Sequence, residues 1–573
     1  MANNKRWQVS QSITEEFINK FPELNPIILQ LLFNRQLTSQ EAIDQFLNPD
    51  YAQNIFDPFL FMDMEKAVSR ILEAVAKKQS IVVYGDYDAD GVSSSAILME
   101  VLKNLGAKVD IYIPYRETEG YGLNKEAAKE LVKKKVDLLI TVDCGISNKA
   151  EIEILNQGKI DVIVTDHHHE PPVLPNAFAI INPHLAKEKY PYKNLAGCGV
   201  AFKVAQAIMQ RQKSYEVNQL PEGFEKWLLD LVAIGTIADL QPLLGENRVL
   251  VKYGLIVLQK TKRLGLLKMI EKMSSKLTQI DERVVGWQIC PRLNAAGRLN
   301  HASSAYELLI TEDANEAERL ALELNQTNQQ RQQLTDRINQ QAREILGEVK
   351  DEKILIAVGD GWPTGVVGLV AGRLTDEYSR PSLIISRYNN EIIGSGRSIA
   401  DFNIIEAIEK NNQFLSRYGG HAQAAGFTLK DEANLQKFIE AMKKSAESQL
   451  AGKKIAPLLK IDAEVKLEDV NWALFEELEK FIPYGEGNYK PRFLASDLTI
   501  ADLQTLGNDG KHLRLMVNHK TAAIRKTIGF CFGNWCEKLK KGDRVDLVFE
   551  VDINEWNGNR ELQLKIVDLK IHE

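Results

Sequence analysis

No run of eighteen or more apolar residues occurs in the 573-residue chain, so no segment is fit to cross a bilayer as a helix. The opening MANNKRWQVSQSITEEF lacks the apolar core of a secretory signal, which leaves the cytoplasm as the expected location. Cysteine is scarce. Cys144, Cys198, Cys290, Cys531 and Cys536 are scattered without C-x-x-C spacing, against a disulfide frame or a thiolate zinc site. Positive charge is not in excess either: Lys and Arg total 71 against 78 Asp and Glu, a net charge of −7. That balance argues mildly against nucleic-acid binding over the whole surface but leaves a local basic path open. Internal repeats and low-complexity segments are missing. The rest, 44% hydrophobic and 26% charged, is the composition of a soluble globular protein. The length predicts three or four domains rather than one core.

Residues 1–50 read as short helices without nameable chemistry. From Ile81 the pattern changes to short apolar runs, Ile81–Tyr84, Val109–Ile113, Asp137–Val142 and Val162–Val164, separated by helical stretches such as Ser94–Leu105 and Lys125–Lys134. Such β-rich runs predict strands buried on both faces of a parallel sheet, hence a doubly wound α/β domain. Asn315–Ile345 is free of Pro and Gly and carries a thin stripe of Leu320, Leu324, Leu334, Ile338 and Ile345. About thirty helical residues span roughly 45 Å, and a polar helix of that length is expected to bridge domains. A second α/β segment follows from Ile354 to about Leu450. Beyond it, Leu513–Asn518, Ala523–Cys531, Arg544–Ile553 and Gln563–Ile571 alternate with Gly and Asn turns, as in a small β-barrel.

Four patches place acids or imidazoles at or near the end of an apolar run: Gly85-Asp86-Tyr87-Asp88-Ala89-Asp90-Gly91, Asp143-Cys144-Gly145, Asp166-His167-His168-His169, and Gly235-Thr236-Ile237-Ala238-Asp239. The run before Asp239 reads as helix or strand. Ligands of open parallel sheets gather outside the carboxyl ends of the strands. Singly, each patch has an ordinary account as a helix cap or a satisfied histidine. Four together are harder to explain that way, because carboxylates crowded on one rim repel and cations relieve the repulsion. Oxygen ligands with one imidazole favour Mn²⁺ or Mg²⁺ over zinc, and two such ions suit in-line attack of water on a phosphodiester.

These residues also carry a family resemblance. DYDADG (86–91), VDCG (142–145), DHH (166–168) and GTIAD (235–239) resemble motifs I to IV of the DHH phosphoesterase superfamily. YRETEGYGLN (115–124), PRLNAAGRL (291–299), GWPTGVVGLVAGRL (361–374), GSGRS (394–398) and GGHAQAAGF (419–427) narrow the likeness to its RecJ branch, over roughly residues 50 to 570. The resemblance implies that Asp88, Asp90, Asp143, His167 and Asp239 hold the metals, with Asp86 a further candidate and Asp143 the bridge. His168 would contact substrate or a second metal. His169 stands where the family varies, so a register shifted by one residue stays open. The resemblance further implies that Arg116, Ser395 and Arg397 hold a 5′-terminal phosphate, that Asn294, Arg298 and Arg373 contact substrate, and that His421 lies in the motif closing over the site. On its own, Gly419-Gly420-His421 is equally a tight loop, and Arg116 a surface arginine paired with an acid. A glycine-flanked turn at Ser395–Arg397 would offer backbone N–H groups as an anion nest, with Arg adding a bidentate fork.

Lys511, Arg514, Lys520, Arg525 and Lys526 begin a basic stretch interleaved with Phe530, Phe532 and Trp535, a pattern suited to single-stranded nucleic acid on an OB-fold. A solvated basic face is the alternative. The implied domain order is a helical segment (1–50), a DHH domain (51–314), a connecting helix (315–349), a DHHA1 domain (350–452) and an OB-fold (453–573). The chain ends soon after the barrel, so an extra C-terminal domain carried by some relatives is not expected. The implied activity is 5′→3′ digestion of single-stranded DNA in repair and recombination, by a monomer working with a single-strand-binding protein and a helicase. The alternatives are a DHH phosphodiesterase for short oligonucleotides or cyclic dinucleotides, and a non-catalytic DNA-binding scaffold.

Overall fold

The apolar runs read as buried strands become the middle of a five-stranded, all-parallel sheet. In the computed structural model, which describes residues 5–273, 279–453, 455–507, 509–519, 524–556 and 558–572, its order is Lys108–Tyr112, Ser80–Gly85, Leu138–Val142, Asp161–Thr165, Ala179–Ile181. The edge strand Ala179–Ile181 is three residues long, too short to leave a periodic signal. The helix Ala89–Asn104 starts five residues before the expected Ser94. Asp88 explains the early start: its carboxylate caps the helix, accepting hydrogen bonds from the Asp90 and Gly91 amides at 2.9 and 3.0 Å.

The polar helix spans Ala314–Leu346, capped by Asp313 at its start and ended by Gly347. Its buried face includes Thr327, Asn328, Thr335 and Asn339 beside Leu320, Leu324 and Ile338, so the stripe is wider than an apolar count indicates. Ile345, expected in that stripe, is 52% exposed. The second α/β segment is a mixed sheet in the order Leu415–His421, Ala424–Leu429, Glu391–Arg397, Ser382–Tyr388, Leu355–Asp360, with only the last pair parallel. Both sheets and the long helix belong to one compact unit, Phe56–Gln241 with Tyr253–Ile455.

The other unit contains Met1–Ile55, Pro242–Lys252 and Ala456–Glu573. Its barrel closes because Phe493–Leu506 pairs with both His512–Asn518 and Arg544–Trp556, while Arg525–Gly529 and Asn559–Ile571 complete the ring. Ala523, placed in a strand by the sequence, lies outside the described residues. The N-terminal segment, read as helices alone, opens with a strand, Arg6–Val9, paired in parallel with Leu458–Ile461. Its helices Pro26–Asn34 and Gln40–Leu47 bury Ile28, Leu31, Leu32, Ile43 and Phe46 in the same core as the barrel. Arg248 is fully buried there, donating to the carbonyls of Phe46, Lys480, Phe481, Ile482 and Pro483. A buried cation is tolerable only when its donors are met in this way.

Candidate active site

Asp143 follows the strand Leu138–Val142 with φ +58°, a left-handed conformation that Asp accepts more readily than most residues. It turns the carboxylate back over the sheet edge. His167, after Asp161–Thr165, brings its Nε2 to 3.1 Å from Asp143 Oδ1, 3.6 Å from Asp239 Oδ2 and 3.9 Å from Asp90 Oδ2. Asp239 ends the helix Leu229–Ala238, so the open choice at this patch falls to helix. The ligand atoms make three overlapping groups: Asp86–Asp88–Asp143, Asp143–His167–His168 and Asp90–His167–Asp239.

Two glycines permit this crowding. A Cβ at Gly197 would stand 2.7 Å from Asp143 Oδ1, and one at Gly235 would stand 2.6 Å from Asp90 Oδ1. Gly197 and Cys198 begin a helix and donate their amides to the two Asp90 oxygens at 2.7 and 2.9 Å. Sequence reasoning missed this support. Ala196–Gly199 holds no acid or imidazole, and its glycines were the available signal.

Burial, then the neighbouring Asp88, pushes the Asp90 carboxyl up to about 6, and burial with Asp90 pushes Asp239 up to about 8. Asp86 and Asp143 are also driven well above the usual carboxylate range, by burial first and like charges next. Burial and the adjacent His168 hold His167 down at about 3, hence neutral and able to ligate. For His168, burial is outweighed by the hydrogen bond and charge of Asp166 at 2.7 Å, and the imidazole rises to about 9. Asp166 also accepts from the amides of Ile146, His167 and His168. It therefore serves as the fixed support of the histidine pair. His169 turns outward, its ring 4.7 Å from His184 and 6.3 Å from His421.

The donor set fits a divalent cation. Asp86 Oδ1 and Asp143 Oδ1 are buried without a hydrogen-bond partner, an expensive state unless something positive meets them. The 3.1 Å between His167 Nε2 and Asp143 Oδ1 matches two atoms sharing one ion, since ligands at about 2.1 Å and a right angle stand roughly 3 Å apart. Proton and cation then compete. Folded Asp90 and Asp239 keep protons to about pH 6 and 8, whereas unfolded Asp loses its proton near ~3.9. Over that range the folded chain binds more protons, so metal-free stability falls as pH rises. The melting-temperature gain from Mn²⁺ over EDTA should accordingly be larger at pH 8 than at pH 5. An equal gain at both would argue against this cluster as the cation site.

A cationic pocket adjoins the acids. The Arg116 guanidinium lies 4.9 Å from the ring centre of Tyr87, between Asp86 and Asp88 in sequence. Burial and the charge of Arg116 hold Arg298 down at about 10 and lower Arg397. Arg298 donates to the Gly365 carbonyl at 3.0 Å, and Arg397 to Ser395 Oγ at 3.2 Å. Among the described residues none of the three arginines has an ion-pairing acid within 4 Å. The GSGRS segment is not the expected glycine-flanked turn. It ends the strand Glu391–Arg397, paired on both sides, so its amides serve the sheet rather than an anion nest. The strand's two-residue period instead puts the Ser395 and Arg397 side chains on one face.

The remaining expected contacts divide. Asn294 accepts from the Ala89 amide at 2.8 Å and so braces the acidic loop. Arg373 pairs with Asp336 on the long helix. His421 sits at the tip of the hairpin joining Leu415–His421 to Ala424–Leu429. In the barrel, Lys526 pairs with Glu561 at 3.0 Å, Lys511 lies beside Asp509, and Arg525 donates to the Val470 carbonyl. Arg514 is half-buried on its strand, and Lys520 lies outside the described residues. Of the three interleaved aromatics only Phe530 stands exposed, with Lys565 over its ring at 5.6 Å; Phe532 and Trp535 pack on the barrel core.

Family models match along the chain: the DHH family N-terminal domain at residues 80–236, the DHHA1 domain at 351–448 and the RecJ OB domain at 461–568. Two crystal structures from Thermus thermophilus are similar. RecJ in complex with Mn²⁺ has a TM-score of 0.84 at 30% identity, covering 100% of this chain and 80% of that one. RecJ in complex with Mg²⁺ has a TM-score of 0.76 at 28% identity, covering 99% and 79%. The single-stranded-DNA-specific exonuclease RecJ of Bacillus subtilis is 35% identical, over 100% of this chain and 72% of its own length. Similarity of that extent, running through all three domains, places the chain in the RecJ family of DHH proteins.

Proposed function

We propose that the chain is a divalent-cation-dependent exonuclease that digests single-stranded DNA from its 5′ end to mononucleotides, in repair and recombination. The observation that carries the reading is the meeting of two opposite oddities: buried carboxylate oxygens without hydrogen-bond partners and, beside them, three arginines with no ion-pairing acid among the described residues. A phosphodiester satisfies both. Asp86, Asp88, Asp90, Asp143, His167 and Asp239 would hold Mn²⁺ or Mg²⁺, with Asp143 shared between groups. Bound there, the cations would lower the pKa of the attacking water and neutralise phosphoryl charge. His168, kept protonated by Asp166, would donate to a phosphoryl oxygen. Arg116, Arg298, Ser395 and Arg397 would take the terminal phosphate, and His421 would close over it. The relatives' activity and the Mn²⁺ and Mg²⁺ in their crystals support the same assignment.

Phe530, exposed with Lys565 over its ring, gives the barrel an aromatic and basic surface of the kind that binds single strands, which favours a polymer over short oligonucleotides or cyclic dinucleotides. Action as a cytoplasmic monomer with a single-strand-binding protein and a helicase belongs to the same reading. The test is digestion of end-labelled single- and double-stranded DNA and RNA with Mn²⁺, Mg²⁺ or EDTA. Single-stranded DNA should be cut, EDTA should abolish cutting, and blunt duplex should be poor until a 5′ single-stranded tail is added. Equal rates on blunt duplex and on single strands would contradict the proposal.

A further inference from the structure

Trp287 is 79% exposed and Leu240 70% exposed, the two most exposed large apolar side chains among the described residues. Both flank Ile237 beside the acidic cluster. Leu240 directly follows Asp239, and its amide donates to the Ile237 carbonyl. Gly286, the residue before Trp287, lies against Ile237: a Cβ there would come 3.4 Å from Ile237 Cγ2. Neither position is an accident of a loose loop. Leu240 has φ +54° at the end of the helix Leu229–Ala238, and the Gln241 amide bonds back to the Thr236 carbonyl. That is the position where a helix favours glycine, yet it carries leucine. Trp287 stands on a π-helical turn, Val285–Ile289, a distortion that recurs at functional sites.

The same helical stretch continues to the arginine pocket. Asn294 braces Ala89, Gly297 presses on the Tyr87 carbonyl and Arg298 faces the pocket. The eleven residue steps from Trp287 to Arg298 cover about 16 Å of helix. A strand anchored at the pocket advances roughly 3.4 Å per stacked nucleotide and about twice that when splayed. Its third to fifth nucleotides would then pass Trp287.

We propose that Trp287, together with Leu240, is a stacking platform for a base of the DNA strand, three to five nucleotides from the anchored 5′ end. The inference rests on the 5′-anchored reading above. Aromatic stacking of this kind is sequence-tolerant, because every base has a π-face, as a general exonuclease requires.

The experiment is single-turnover release of the 5′-terminal nucleotide from strands carrying one abasic site, walked from position 2 to position 8. Wild type should slow roughly ten- to a hundredfold when the missing base falls at positions 3 to 5, and little elsewhere. Trp287→Ala should slow the intact strand by a similar factor, with no further loss from an abasic site in that window, and Trp287→Phe should restore most of the rate. Leu240→Gly, which suits the backbone better, should weaken the window without destabilising the fold. Wild type without an abasic window, or Trp287→Ala as fast as wild type on intact strands, would overturn the platform. Digestion starting from the 3′ end would overturn the anchored reading instead, and wild type alone reveals it.

Discussion

Asp143→Asn should lower hydrolysis of single-stranded DNA by on the order of a thousandfold or more, the loss expected when several kcal/mol of transition-state stabilisation disappears. Asp143 belongs to two of the three ligand groups, and without its carboxylate only Asp90–His167–Asp239 keeps three members. Asn is the cleaner replacement than Ala. Residue 143 has φ +58°, which Asn tolerates and Ala resists, so Asn separates lost charge from backbone strain. The fold should gain from the change when no metal is present. Asp143 is crowded by Asp90, Asp88, Asp86 and Asp239, and removing one buried like charge relieves that crowding. In EDTA the variant should melt at or above the wild-type temperature, and Mn²⁺ should raise its melting point less. A variant that retains full activity in Mn²⁺ would rule out Asp143 as the shared ligand.

Much of this site is legible in the sequence because strand ends and motif acids coincide. Asp86–Asp90, Asp143 and His167 sit where buried strands stop, and the parallel order of those strands brings them to one edge. The supports were less visible. Asp90 is held by two amides of a helix that starts more than a hundred residues later, and no local pattern encodes such a contact. Asn294 carries the chemistry of a ligand contact yet braces a loop. The GSGRS segment has turn residues but forms a strand, because Gly394 and Gly396 make room for Phe427, Leu383 and Ile404. Tertiary packing overrode local preference there. The N-terminal strand Arg6–Val9 was hidden for a related reason: its partner lies some 450 residues away.

Arg397→Ala should weaken use of 5′-phosphorylated strands by about ten- to a hundredfold, because charge-assisted contacts contribute roughly 1.5–3 kcal/mol each. Direction of digestion follows from which end is held at a fixed distance from the acids. The pocket of Arg116, Arg298 and Arg397 concentrates three positive charges close enough that Arg116 depresses both of the others. Such repulsion is relieved best by a dianion, and a terminal phosphate carries more charge than an internal one. With Arg116 lying over Tyr87, a phosphate in the pocket would present the next phosphodiester to the Asp86–Asp90 loop. Strands with a 5′ hydroxyl never make the full contact, so their rates should change much less. Comparing wild type and Arg397→Ala on both substrates, with a 3′ label to follow stepwise shortening, isolates the terminal charge from general affinity. An equal loss on phosphorylated and hydroxyl ends would make Arg397 an ordinary backbone contact. Shortening that begins at the 3′ end would remove the anchor altogether.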